Sequence, residues 1–303
     1  MIDKIDKNTR IGIVGVGLMG HGIAANIVKH GFPLVLLGHA GNQPVEDLLQ
    51  GGATQVDALK EIAAQADAII LCVTGTPQIE AVLYGPDGLL AHMHPGTILI
   101  DCSTAIPSST EQIARDVTRA QGRFLDAPMT RTPKEAAQGR LNLIIGGDQA
   151  LFESCRLLLE CFAENIVHAG PIGAGHRMKL IHNFVSLGFS TVLAEAAACA
   201  SRSKIDPKVL LEILASGGGS GAVLTRLAPY IEFQDDSGFR FSVANAHKDL
   251  SYYTTMAEES HSFHDTATAI LKTLTIGMQA DPAATMPQLI KILKELPSTA
   301  ESV

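Results

Sequence analysis

The stretch RIGIVGVGLMGHGIAANIVKHG, residues 10–31, joins an apolar run, a glycine turn and an amphipathic segment without interruption. The apolar run predicts a buried strand, and the last part carries apolar side chains at helical spacing. Between them Gly15, Gly17 and Gly20 form G-x-G-x-x-G. In this pattern Gly15 permits a tight turn, Gly17 lets backbone approach a pyrophosphate, and Gly20 lets helix and strand pack closely. Because the start of the helix then faces an anion, the stretch predicts a dinucleotide site, with a plain tight turn as the alternative.

Composition narrows the class of protein. The chain has 303 residues, a length that corresponds to about two domains. Of these residues 46% are hydrophobic and 18% are charged. A net charge of -8 and the absence of a Lys/Arg run argue against nucleic acid or a membrane as partners, so small molecules are expected. No apolar run approaches the roughly 20 residues of a membrane helix, and the polar N-terminus is unlike a signal peptide, so a cytoplasmic location is expected. Five cysteines without a C-x-x-C pair predict reduced, buried thiols.

Strand-like apolar runs recur in the first half of the chain, and helical patterns separate most of them. This alternation, over about 165 residues, predicts an α/β fold whose doubly wound, mostly parallel sheet has helices on both faces. The runs lie at 33–37, 68–73, 97–101, 124–126 and 141–145.

The second half of the chain is predicted to be all-α. A proline-free segment of apolar and small residues over 173–203 predicts one long helix. We place the boundary near Gly170, which gives a Rossmann domain over 1–170 and a helical domain over 171–303. The first few residues and the tail 298–303 are expected to fray. Shorter helices are predicted at 206–215, 221–232, 244–260, 264–278 and 285–295.

Five motifs follow one another along nearly the whole chain. They are GVGLMGHGIAAN at 15–26, DCSTAIP at 101–107, FLDAPMTRT at 124–132, GAGHRMKLIHNFVS at 173–186 and HKDL at 247–250. Together they resemble the β-hydroxyacid dehydrogenase family, whose members include 3-hydroxyisobutyrate and tartronate-semialdehyde enzymes. The resemblance implies a Rossmann domain, a helical C-terminal domain, a catalytic lysine, and hydride transfer between a nicotinamide cofactor and a small acid.

Lys179, Asn183 and Ser186 are spaced by four and three residues on the predicted long helix, so they share one face. They would point a cation, an amide and a hydroxyl into one cleft; a solvated polar stripe is the alternative that spacing leaves open. The family motif implies that Lys179 is catalytic. As an ammonium it can donate a proton to a carbonyl oxygen while hydride reaches carbon, and in reverse it must be neutral. We therefore expect alcohol oxidation to run best at alkaline pH and aldehyde reduction nearer neutrality.

The predicted substrate loop departs from the family pattern. Where relatives continue from Asp-Ala-Pro into a small residue and two glycines, this chain has Thr130, Arg131 and Thr132. A guanidinium binds a carboxylate, sulfonate or phosphate through paired hydrogen bonds, and the Arg-Thr pair resembles the sulfolactaldehyde reductase branch. We predict that Arg131 and Thr132 hold the acidic end of a small anionic substrate, with the amide and hydroxyl of the long helix completing the site. The alternative is a surface ion pair of Arg131 with Glu135 or Asp126.

Further contacts are predicted at strand and helix ends. Ser103 and Thr104 follow an apolar run, at the edge where open α/β sheets bind ligands. The resemblance implies a substrate contact for Ser103 and a nicotinamide contact for Thr104, although both could be N-caps. Lys248 and Asp249 match the family's pair near the nicotinamide, or form an exposed helix pair. The predicted cofactor contacts are Gly15, Gly17, Leu18, Met19, Gly20, Gly38, His39, Val73, Thr74, Thr104 and Lys248.

The end of the second predicted strand bears on the choice of cofactor. Gly38 and His39 stand where NAD enzymes carry a carboxylate for the ribose 2′-hydroxyl. His39 occupies the position where NADP-preferring relatives often have arginine, so the prediction leans slightly to NADP, with dual use left open because neutral imidazole binds phosphate poorly. His182 replaces an asparagine of the family pattern, and its role stays open. No histidine group suggests zinc, so no metal is predicted.

The sequence thus favours an NAD(P)-dependent reductase of a short aldehyde-acid. An imine reductase of the same architecture and a non-catalytic dinucleotide-binding module are the rivals, and the presence of Lys179 counts against both. A phosphogluconate-type decarboxylating enzyme would need a longer C-terminal domain. The long apolar helix predicts burial between subunits, in a homodimer or homotetramer.

Overall fold

A computed structural model describes residues 4–296, and the chain forms two compact units, Met1–Lys179 and Leu180–Val303. The division follows Lys179, whereas the sequence places the domain boundary near Gly170. The physical reason is that the first turn of the long helix is hydrogen-bonded to the end of a sheet strand. The expected fraying of the chain ends concerns residues outside the described range.

Nine strands form one sheet in the first unit, in the order β3-β2-β1-β4-β5-β6-β8-β7, with β9 beside β8. The first six strands are parallel, in the order of a Rossmann sheet, and the antiparallel pairs are β6 with β8 and β7 with β8. The strands are β1 Ile11–Val14, β2 Leu34–Leu37, β3 Thr54–Val56, β4 Ala68–Leu71, β5 Ile98–Asp101, β6 Arg123–Asp126, β7 Met129–Thr130, β8 Leu141–Gly146 and β9 Ala163–Gly170.

Helices cover both faces of this sheet. Every residue of β1, β4 and β5 is buried, as is typical of parallel strands between two helical layers. Ile70 belongs to one hydrophobic cluster and its neighbours Ile69 and Leu71 to the other, so the doubly wound arrangement is confirmed. The helices are α1 Leu18–Lys29, α2 Glu46–Gln50, α3 Leu59–Gln65, α4 Thr76–Tyr84, α5 Leu89–His92, α6 Pro107–Arg119, α7 Pro133–Ala137 and α8 Gln149–Leu159.

Three short or irregular strands, β3, β7 and β9, were not predicted. Two of the three residues of β3, Thr54 and Gln55, are exposed, so this edge strand lacks the apolar signal of the central ones. It pairs in parallel with β2, and Leu37 lies opposite Val56. This pairing decides which side chains stand at the end of β2.

The long helix α9 spans Ala174–Arg202, close to the predicted 173–203, and leads into the helical second unit. The other helices are α10 Pro207–Ser216, α11 Ala222–Phe233, α12 Val243–Glu259, α13 Asp265–Ala280 and α14 Leu289–Glu295. The helix predicted over 285–295 begins only at Leu289, because Thr285 forms a β-bridge with Ser242. Buried apolar residues of α9, α12, α13 and α14 form the core of this unit.

Two expectations from composition need correction. By length and hydropathy, α9 could cross a membrane, since an 18-residue window averages 1.5, but half of that window is buried in the protein, as in the core helices of soluble proteins. Of the five cysteines, Cys102, Cys155 and Cys161 are buried and Cys72 is half-buried, whereas Cys199 is exposed.

Candidate cofactor-binding and active site

The glycine turn between β1 and α1 has two glycines required by the fold and one that is not. Gly15 has φ +96°, and a Cβ there would lie 2.3 Å from the carbonyl oxygen of Cys72. A Cβ at Gly20 would lie 1.9 Å from the oxygen of Gly15. Gly17 has φ -75°, and nothing lies within 4 Å of its missing Cβ. The space over Gly17 is therefore open for a ligand, which fits the approach of a pyrophosphate to the start of α1.

The loops after β1, β4 and β5 meet at the carboxyl edge of the sheet. A Cβ at Gly15 would lie 3.1 Å from Cγ1 of Val73, and the backbone N–H of Val73 donates a 3.1 Å hydrogen bond to Oγ of Ser103. The structure thus brings together the predicted residues of these three loops. The others at this edge are the exposed Leu18 and Thr74 and the half-buried Met19 and Thr104.

Beneath this edge lies a buried polar cluster that the sequence analysis missed. His176 is fully buried; its Nδ1 lies 2.8 Å from Oγ1 of Thr110 and its Nε2 lies 3.2 Å from the carbonyl oxygen of Ser103. Oδ2 of Asp101 is 3.9 Å from the same Nε2. Burial raises the pKa of Asp101, although His176 and hydrogen bonds from Ser103 oppose that shift. The only signal in the sequence was a carboxylate that ends an apolar strand.

The carboxylate of Asp126, at the end of β6, fixes the start of α9. It accepts hydrogen bonds from the backbone N–H groups of Gly173, at 2.8 Å, and His176, at 2.9 Å. A Cβ at Gly175 would lie 2.7 Å from Oδ2 of Asp126 and 2.4 Å from the oxygen of Ile144, so this close approach requires glycine. The motif GAGH is explained by this approach. Lys179 is half-buried, one turn further along α9.

A second polar network lies in the helical unit. Nδ2 of Asn183 donates a 2.6 Å hydrogen bond to Asp249, whose other oxygen is 3.1 Å from Nζ of Lys248. Oδ1 of Asn183 is 3.0 Å from Nδ1 of His182, so this histidine contacts the side chain of its neighbour. The amide of Asn183 is thus largely engaged by protein, while Ser186 is half-buried on the next turn. The buried side chain of Asp249 thus contacts both Asn183 and Lys248.

The predicted substrate loop is tied to its own surroundings. Oγ1 of Thr130 accepts a 3.0 Å hydrogen bond from Asn142. The guanidinium of Arg131 donates to Glu164, so the ion-pair alternative is realised, although with a carboxylate other than the two predicted from sequence. Thr132 donates a 2.5 Å hydrogen bond to Glu135 and caps α7. These contacts do not join the loop to the glycine turn.

The loop after β2 folds back on the glycine turn. Nδ2 of Asn42 donates to the oxygen of Leu37 at 2.8 Å, and its Oδ1 accepts from the N–H of Val16 at 3.2 Å. His39 is exposed, and its Nδ1 accepts a 2.9 Å hydrogen bond from the N–H of Gly41. Within residues 4–296, no group of three or more His, Cys, Asp or Glu side chains is placed to hold a metal ion.

The fold and the glycine turn are those of a dinucleotide-binding protein. Two family models match: the NAD binding domain of 6-phosphogluconate dehydrogenase over residues 10–170, and the NAD-binding domain of NADP-dependent 3-hydroxyisobutyrate dehydrogenase over residues 173–291. The chain belongs to the β-hydroxyacid dehydrogenase family.

Relatives agree with this assignment. The NAD-dependent L-serine dehydrogenase of Pseudomonas aeruginosa is 34% identical over 71% of this chain and 72% of its own. The 2-hydroxy-3-oxopropionate reductase of Escherichia coli is 32% identical over 71% of this chain and 73% of its own. Among solved structures, a 3-hydroxyisobutyrate dehydrogenase from Salmonella typhimurium superimposes with a TM-score of 0.81 at 26% identity, covering 94% of this chain and 100% of that one.

Proposed function

We propose that this protein transfers hydride between a nicotinamide cofactor and a small β-hydroxyacid, or the corresponding acid semialdehyde, with Lys179 as the general acid and base. The observation that carries the proposal is the anchoring of α9. Asp126 holds its first turn at the end of β6, so that Lys179 follows one turn after a histidine that contacts the Ser103 loop. This anchoring supports a position of the half-buried Lys179 on a rigid element that starts at the carboxyl edge of the sheet.

The nicotinamide would supply the hydride donor or acceptor, and the open space over Gly17 fits the dinucleotide that carries it. Lys179 then moves the proton. In reduction its ammonium donates a proton to the carbonyl oxygen and stabilises the negative charge that develops there. In oxidation the neutral amine takes the hydroxyl proton, so oxidation should be faster at alkaline pH.

The substrate contacts predicted from the sequence are divided between the two units. In the first unit, Ser103 lies at the carboxyl edge of the sheet. In the second unit, Asn183 and Ser186 follow Lys179 at i+4 and i+7 on α9. Since Asn183 is held by Asp249, its role is to present a fixed amide N–H rather than a mobile one. A role of Arg131 in binding the substrate's acidic group stays a prediction, because Glu164 occupies its guanidinium.

The test is initial-rate oxidation of NADH and NADPH with methylmalonate, succinate and tartronate semialdehydes and with sulfolactaldehyde. Lys179→Ala should lower kcat by about 10²–10⁴-fold on the active compound while calorimetric binding of the dinucleotide persists. Lys60→Ala, which removes an exposed lysine of α3, is the matched control. Full activity of the Lys179 variant would refute the assignment. Dinucleotide binding without turnover of any compound would favour the non-catalytic module.

We also infer a homo-oligomer. Val185 and Val192 on α9 and Val209 and Ile213 on α10 are each more than half exposed, and α10 has no buried residue. Such unpartnered apolar helix faces mark a protein interface, and a second copy of this chain would cover them. Light scattering coupled to size-exclusion chromatography measures the mass directly. The cytoplasmic location stays a prediction from the sequence.

A further inference from the structure

The end of β2 lacks the carboxylate that binds the ribose of NAD, but the neighbouring strand β3 supplies one. Leu37 pairs with Val56 in parallel register, and the N–H of Gly38 donates a 2.8 Å hydrogen bond to the oxygen of Val56. The residues that follow this pair, Gly38 after β2 and Asp57 after β3, therefore lie beside each other.

The side chains of β3 fill the space that a residue at position 38 would need. A Cβ on Gly38 would lie 2.9 Å from Oδ1 of Asp57 and 2.8 Å from Nε2 of Gln55. An acidic residue at the end of β2 would start from this same point. In other Rossmann domains a carboxylate at the end of β2 binds the ribose. Here the carboxylate of Asp57, which comes from β3, lies at that position. Glycine at 38 is what makes the approach possible.

Charge around this point disfavours a phosphate. An open recess of about 580 Å³ lies here, and its described lining includes two carboxylates, Asp57 and Glu46, and neither lysine nor arginine. His39, which the sequence analysis placed where NADP-preferring relatives often have arginine, has its Nδ1 turned to the N–H of Gly41, from which it accepts a hydrogen bond. A 2′-phosphate carries nearly two negative charges at neutral pH, so it would meet carboxylates without a counter-charge.

We propose that Asp57, exposed above Gly38 with Gln55 beside it, accepts the hydrogen bond of the adenosine ribose 2′-hydroxyl and makes this protein prefer NAD over NADP. The inference rests on the proposed function, and it replaces the slight preference for NADP that the sequence predicted. Asp57 is a specificity-determining residue. It takes no part in proton or hydride transfer.

Isothermal titration calorimetry with NAD⁺ and NADP⁺ separately tests the proposal without any substrate. The native protein should bind NAD⁺ at least about tenfold more tightly. Asp57→Asn, which keeps the shape and removes the charge, should reduce this ratio about five- to tenfold, by weakening NAD⁺ binding and strengthening NADP⁺ binding. Asp67→Asn is the control, because Asp67 lies at the opposite, amino-terminal edge of the sheet, where it accepts from the N–H of Arg10.

Each result decides between the two proposals. Equal or tighter binding of NADP⁺ by the native protein would overturn the role of Asp57, and so would an unchanged ratio in Asp57→Asn; both outcomes leave the proposed reaction intact. Binding of neither dinucleotide would refute the proposed function together with this inference. An equal shift in Asp67→Asn would mean that net charge, rather than the placement of Asp57, sets the ratio.

Discussion

The backbone N–H of His176 donates a 2.9 Å hydrogen bond to the buried carboxylate of Asp126. This bond joins the end of a central strand to the first turn of the helix that carries Lys179. Like an N-cap side chain, the Asp126 carboxylate accepts a hydrogen bond from a backbone N–H in the first turn of the helix, but it lies 50 residues before His176 in the sequence. The position of the proposed acid and base is therefore set by the sheet.

Asp126→Ala should lower both stability and turnover. The variant removes the acceptor of two N–H groups, at Gly173 and His176, and should cost about 2–3 kcal/mol of unfolding free energy. Because the first turn of α9 would lose its attachment to the sheet, the position of Lys179 would be less well fixed, and kcat should fall as well. Asp148→Ala is the control: Asp148 caps α8 by accepting from the N–H of Leu151, so its loss should cost about 1 kcal/mol and leave kcat unchanged. Urea melts and initial rates measure both quantities. Equal kcat in the two variants would contradict the positioning role.

Asp101→Asn should change how stability depends on pH. Burial raises the pKa of Asp101, so this carboxyl binds its proton more tightly in the folded protein than in the unfolded chain. Its contribution to stability is complete below the unfolded pKa of about 3.9, and is lost as pH rises through the folded pKa. Asparagine does not titrate and still accepts from the N–H of Ser103. As the pH rises above the unfolded pKa of about 3.9, the unfolding free energy of the variant should therefore increase relative to that of the native protein. Parallel stability curves for Asp101→Asn and the native protein over this pH range would contradict the prediction.

Arg131 has a positive φ of 83°, a backbone conformation that favours glycine. A left-handed conformation costs a non-glycine residue about 1–2 kcal/mol. Arg131→Gly should therefore be more stable than Arg131→Ala by about 1 kcal/mol, since both lose the ion pair with Glu164 and only glycine relieves the strain. If the guanidinium also binds the substrate's acidic group, both variants should raise KM at least about tenfold and change kcat less. An unchanged KM in both would leave Arg131 with a structural role only.

Cys199 offers a label for the proposed interface. It follows Val185 and Val192 at i+14 and i+7 on α9, which places the three on one side of the helix. Burial raises the pKa of Cys72 to about 12 and that of Cys155 to about 11, so these thiols should react slowly with Ellman's reagent at neutral pH. In dilute protein we expect one thiol that reacts fast with the reagent, and this reaction should be absent in Cys199→Ser. The rate of this reaction should fall as the oligomer forms. If the rate stays the same while the measured mass increases, this face is excluded from the interface.

The sheet and the long helix were predictable because their signals are local. Central parallel strands such as Ile11–Val14 are apolar throughout, and α9 keeps one pattern over eight turns without proline. Edge strand β3 was missed because exposed polar residues make up most of it, and because each of its residues pairs with a residue of β2 that is 19 positions earlier in the chain. The predicted role of Arg131 also depended on local chemistry alone, and a carboxylate distant in sequence, Glu164, took up its guanidinium.

The sequence by itself determined the family and the glycine turn, and it predicted a role for Lys179, because each of the motifs concerned consists of residues close together along the chain. Tertiary structure alone decided which carboxylates stand beside them. Asp126 reaches α9, and Asp57 reaches the end of β2, only because parallel strands bring their carboxyl ends to one edge of the sheet. Strand order and register decide which side chains become neighbours at this edge. Both depend on pairing between segments that are distant in sequence, and local sequence patterns do not predict that pairing.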